Sequence, residues 1–164
     1  MKQLLIFLGA PTLIMLASLL SSTQLERQET PDLDAYWAIV SQTVADGDFE
    51  GYAATYHPDA ILVNESQNAT YPISTALANW KEGFMDTKAG KMKASVEFRW
   101  TRRLSDATTA HETGIFHYVA TSQNGQVQDS YLHFEALLIN KDGWKMMMEY
   151  QKLPATIEQW NAAK

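Results

Sequence analysis

The stretch KMKASVEFRWTRRLSDATTAHETGIFHYVATSQNGQVQDSYLHFEALLINKDGWKMMMEY, Lys91 to Tyr150, decides the fold. It reads as four consecutive strands: Met92 to Leu104, Thr108 to Ser122, Val127 to Asn140 and Trp144 to Gln151. Gln123-Asn124-Gly125 and Lys141-Asp142-Gly143 place glycine where a hairpin loop needs positive φ. Strands this long, joined this tightly, make a curled antiparallel meander, and its apolar face needs a cover.

Working outward toward the N-terminus, helices supply that cover. Pro31-Asp32 opens the first, and Leu33, Tyr36, Trp37, Val40 and Val44 recur at helical spacing as one buried stripe. Gly47 suits a left-handed cap after it. A shorter helix runs from Phe49 to Tyr56, His57-Pro58-Asp59 breaks it, and Ala60 to Asn64 is a short strand. A third helix, capped by Ser74 or Thr75 and running to about Thr87, presents Leu77, Trp80, Phe84 and Met85. Residues 152–164 form a terminal helix or tail in which Ile157 and Trp160 can dock. The sum is an α+β cone: a curved, antiparallel or mixed sheet with about three N-terminal helices across it.

Ahead of this domain, Lys2 and the apolar run Leu4 to Leu20, followed by Ser21, Ser22 and Thr23, have the order of a secretory signal. The expectation is a signal over 1–23, a leader over 24–31, and an exported (periplasmic or secreted) protein. An uncleaved membrane anchor is the alternative, because the run approaches spanning length.

The chain has 164 residues, 46% hydrophobic and 11% aromatic, enough for one domain with a sizeable core. Its net charge of −6 argues against nucleic acid or an anionic membrane as partner, since both need a basic footprint. The absence of cysteine excludes disulfides, thiol nucleophiles and thiolate metal sites. His111 and His117 share a strand face but stand roughly 20 Å apart, too far to chelate one ion, and His57 and His133 are isolated. Neither a metal nor a cofactor is expected.

The order of these signals resembles the nuclear transport factor 2-like superfamily, in its SnoaL-like and steroid-isomerase-like branch. The resemblance rests on Ala45-Asp46-Gly47-Asp48-Phe49-Glu50-Gly51-Tyr52, on Tyr56-His57-Pro58-Asp59-Ala60-Ile61-Leu62-Val63, and on Lys141-Asp142-Gly143-Trp144-Lys145-Met146. It covers roughly residues 32–151 and implies a cystatin-like α+β roll. It implies little about activity, because this fold hosts enzymes, carriers and oligomerisation modules. In steroid-isomerase-like relatives a base follows the Asp-Ala pair, a first-helix tyrosine donates to the oxyanion, and a protonated acid stands on a late strand. Those positions read Asn64, Val40 and Glu135 here, so one role of three is kept, and steroid-isomerase chemistry is not expected.

Alternation along the second long strand sets Glu112, Gly114, Phe116 and Tyr118 on one face, which the resemblance turns inward. Glu112 and Glu135 are then candidates for a paired acid and base inside the cone; the plainer reading makes them rim groups bonded to neighbouring strands. The expected pocket lining is Trp37, Val40, Tyr52, Tyr56, Asn64, Trp80, Phe116, Tyr118, Met148 and Tyr150. Such an aromatic set fits a small, largely apolar ligand as well as it fits a solid core. Three functions stay open: a small-molecule binder, an isomerase, dehydratase or cyclase using Glu135 and Glu112, and a ligand-free interaction module. Leu132 to Leu138 is apolar on both faces, which predicts a homodimer through the sheet face.

Overall fold

The computed structural model describes residues 31–164, so the expected signal and leader lie outside the described residues. Two N-terminal helices, α1 (Pro31–Asp46) and α2 (Phe49–Ala53), precede a short hairpin of β1 (Tyr56–Asn64) and β2 (Ala69–Pro72). Helix α3 (Ile73–Lys88) leads into the meander β3 (Met92–Ser105), β4 (Thr109–Ser122), β5 (Val127–Asn140) and β6 (Trp144–Pro154). A terminal helix, α4 (Ile157–Ala162), closes the chain. The sheet has six strands in the order β2-β1-β6-β5-β4-β3. All neighbours are antiparallel except β1 and β6, which run parallel.

The hairpin glycines behave as expected, Gly125 at φ 81° and Gly143 at φ 99°. Leu33, Tyr36, Trp37, Val40 and Val44 of α1 are all buried, the first four in one core cluster with Phe134, Ala136 and Leu138 of β5. Gly47, at φ 65°, lets α1 end against α3; a Cβ there would meet the Phe84 carbonyl at 2.6 Å, so any side chain forces the two helices apart.

Three boundaries differ from the sequence reading. Helix α2 stops at Ala53, because the Thr55 hydroxyl and amide both turn back to the Tyr52 carbonyl, and Tyr56 already belongs to β1. His57-Pro58-Asp59 therefore lies inside β1, where the register with β6 shifts between Tyr56 and Ile61; a bulge tolerates a proline that cannot donate. Helix α3 begins at Ile73, after Pro72 and without a side-chain cap, rather than under Ser74 or Thr75.

Helix α4 folds back onto the outer face of the sheet. A capping box of Thr156 and Gln159 starts it. Trp160 then packs 5.6 Å from the rings of both His117 and Tyr131, with the Arg99 guanidinium 4.4 Å from its ring centre. Ile157, also expected to dock, stays exposed. The backbone of Lys164 pairs with that of Trp100 in both directions, at 2.6 and 3.2 Å. Part of β5's second apolar face thus has an intramolecular cover. The rest does not: Leu137 is 40% exposed, with Ile61 at 39% on β1 and Leu104 at 46% on β3.

Candidate functional site

The cone is hollow. A cavity of about 500 Å³ lies between α1, α2 and α3 and the concave face of the sheet. Trp37, Val40, Tyr52, Tyr56, Trp80, Phe116 and Tyr118 line it. Phe84, Val96, Phe98 and Phe134 complete its apolar wall, and exposed Asn79 and Gln128 mark its open side. The aromatic rings hold one another in place: Trp37 lies 4.5 Å from Phe98, and Tyr52 lies 4.8 Å from Phe84. Such edge and tilted contacts leave the walls firm without filling the space between them.

Three expected lining residues are elsewhere. Met148 and Tyr150 pair with Leu137 and Glu135 on the outer face. The cause is one extra residue: Leu137 faces Met148 while Leu138 faces Met146, so Met147 is unmatched and the strand changes phase. Burial follows, at Trp144, Met146 and then Glu149. Asn64 stands behind the cavity, its amide donating to the Gln151 side chain at 3.5 Å.

The two carboxylates expected to work together do not meet. Glu112 is opposite Ala136, and Glu135 is opposite Thr113 one residue along, so they point to opposite faces of the sheet. Glu112 does turn inward, and it is fully buried, but its oxygens are taken. The Trp37 indole donates to one at 2.5 Å, and Arg103 Nε binds the other while its terminal nitrogen reaches Asp34 at 2.5 Å. This ties α1 to β3 and β4 and leaves Glu112 outside the cavity lining. Glu135 is on the outside with Lys152 and, at 3.1 Å, His111. Hydrogen bonding to Lys152 first, then His111, holds its carboxyl below the usual range. Neither residue is placed for acid–base work in the cone.

The group that sequence reading missed is Glu149. It is 7% exposed, lines the cavity, and accepts hydrogen bonds on both oxygens. Tyr56 OH donates to Oε2 at 2.5 Å, and the Gln151 amide donates to Oε1 at 2.7 Å. The Tyr52 hydroxyl lies 3.1 Å from that of Tyr56, extending the chain of polar groups toward α2. Burial pushes the Glu149 carboxyl up, while the bonds from Tyr56 and Gln151 pull the other way. Burial also raises Tyr52 and Tyr56 far above the usual phenol range, helped in both by the neighbouring Glu149 charge. No sequence motif marks Glu149; the only signal is the run Met146-Met147-Met148, where a bulge hides in uniform residues. Among the described residues, no cluster of three His, Cys, Asp or Glu side chains stands ready for a metal ion.

This six-stranded cone with its helical lid has many solved counterparts. A conserved protein from Planctomyces limnophilus superposes with a TM-score of 0.64 at 9% identity, covering 76% of this chain and 96% of its own. An NTF2-like protein from Cytophaga hutchinsonii gives 0.58 at 13%, over 76% and 97%. The fold is the nuclear transport factor 2-like cone. The beta subunit of benzoate 1,2-dioxygenase from Burkholderia mallei shares this fold, with a TM-score of 0.60 at 16% identity over 75% of this chain and 89% of that one. Identities this low carry the NTF2-like fold and nothing of activity. No protein-family model and no curated protein matches the sequence.

Proposed function

We propose that this NTF2-like domain binds a small, largely apolar molecule in its cone, with Glu149 as the polar anchor. One observation carries the reading: a preformed aromatic cavity of about 500 Å³ whose polar groups converge on a single buried carboxylate. Concave, mostly apolar sites with few converging polar groups are the usual form of a ligand pocket. An interaction module with a filled cone is disfavoured by the same cavity.

Export and dimerisation belong to the proposal. The apolar run after Lys2 supports removal of 1–23 and a periplasmic or secreted location, with a retained anchor as the alternative. Exposed Ile61, Leu104 and Leu137 on the outer face support a two-fold contact with a second copy.

A second reading is favoured by the short Tyr56–Glu149 bond. A carboxyl raised by burial and held by a phenol can relay a proton to or from a bound substrate, as isomerases and dehydratases require. That chemistry would run through Glu149 and Tyr56.

Native mass spectrometry on protein purified from its own host's export fraction tests the proposal. The expected result is a dimer carrying a reproducible small-molecule mass that the cavity-filling variant Gly83→Phe loses. Wild-type and variant spectra without bound mass would contradict the carrier reading.

A further inference from the structure

Resting on the ligand-binding reading, we infer that the cone selects cationic ligands, apolar amines whose ammonium group reaches Glu149. Among the described residues that line the cavity, Glu149 is the one acid, and there is no Lys, Arg or His. The remaining titratable groups around it are the phenols of Tyr52, Tyr56 and Tyr118 in the lining and Tyr36 behind Tyr56. Cations around the cone are bonded elsewhere: Arg103 to Glu112 and Asp34, Lys145 to the Ala54 carbonyl, and Lys152 to Glu135 on the other side of the sheet.

The donors around Glu149 are arranged for the anion. Tyr56 gives a proton to one oxygen and Gln151 to the other, and Asn64 fixes Gln151 by donating to its carbonyl oxygen. An acceptor of two bonds suits a carboxylate, yet a carboxylate buried without a countercharge is costly. The other buried acid among the described residues, Glu112, has that countercharge in Arg103. Glu149 has none among the described residues, and the open space is on its cavity side. A ligand cation entering there supplies what the protein omits.

The walls agree. Trp37, Trp80, Phe98 and Phe116 present ring surface to the same space, and aromatic faces attract cations more strongly once desolvated. The net charge of −6 favours the approach of a cation as well. The same features repel an anion, so a fatty-acid or phosphate ligand is disfavoured.

The test uses a matched set of probes: 4-phenylbutylamine, 4-phenylbutanol and 4-phenylbutyrate, titrated calorimetrically at neutral pH. The amine should bind at least about tenfold more tightly than the alcohol, and the butyrate more weakly than either. Glu149→Gln should bring amine and alcohol to parity, the amine losing at least about tenfold more affinity than the alcohol. Because that variant alters a buried group, the wild type also carries an independent readout. Amine titrations repeated from acid to mildly alkaline pH should show affinity falling in acid, as Glu149 takes up a proton, and alcohol titrations should not. Equal affinity for amine and alcohol in the wild type at every pH overturns the cation inference and leaves the pocket reading standing. Failure of all three probes to bind overturns both.

Discussion

Tyr56 donates its hydroxyl to Glu149 across 2.5 Å, joining the first strand of the domain to its last. The two strands run parallel, so this bond links the helical lid side of the cone to the meander. Replacing Tyr56 with Phe leaves Oε2 without its donor in a buried place and strips Tyr52 of a partner. The loss should be about 1–3 kcal/mol, read as a lower denaturant midpoint at unchanged slope. A variant as stable as the wild type would mean that the bond is not formed in solution.

The pH dependence of stability has a definite sign at Glu149. Its folded pKa is raised by burial, so between the unfolded and folded values the native state holds more protons than the unfolded one. Stability from this group is therefore greatest in acid and falls as pH rises from about 4.3 through the raised value. Glu149→Gln abolishes that titration. The difference in unfolding free energy, variant minus wild type, should grow in the variant's favour over this window, at up to about 1.4 kcal/mol per pH unit. A flat difference from pH 4 to 8 would contradict the assignment.

Much of this was legible in the chain before folding. The meander from Lys91 to Tyr150, the buried stripe of α1 and the shared face of Glu112, Phe116 and Tyr118 follow from periodicity, which local sequence carries directly; that this face turns inward came from the family resemblance. The anchor of the cavity was not legible, because period-two counting fails wherever a strand takes an extra residue. Counting from Met146 puts Met148 and Tyr150 inside and Glu149 outside; the unmatched Met147 reverses all three. Glu135 misled for a different reason. Counting along the chain from Gly143 gives a position, but the face is set by the pairing of Glu112 with Ala136, a long-range fact.

The two acids once grouped together should behave as strangers. Glu112→Ala leaves the buried Trp37 indole without an acceptor and Arg103 with Asp34 alone, and should cost about 1–3 kcal/mol. Glu135→Gln disturbs a partly exposed pair on the outer face and should cost about 1 kcal/mol or less. Their effects should add in the double variant, measured by chemical denaturation. A coupling of several kcal/mol would restore the idea of a joint site.

Helix α4 should fasten the outer face. Trp160→Ala removes a buried ring that packs on His117, Tyr131 and Arg99, at a cost of about 3–5 kcal/mol if the site cannot collapse. Hydrogen exchange should then rise along β3 near Trp100, where Lys164 is paired. Unchanged protection there would mean that the helix contributes no restraint to the sheet.

The most direct test of the hollow, ligand-binding cone compares the wild type with Gly83→Phe. Gly83 lines the cavity from α3, and a Cβ there meets nothing nearer than the Met92 methyl at 3.5 Å, so the backbone accepts a side chain and the ring fills the space. Saturation-transfer NMR with 4-phenylbutanol should show binding to the wild type and none to the folded variant. Equal signals from both proteins, or none from the wild type, would contradict a ligand site inside the cone.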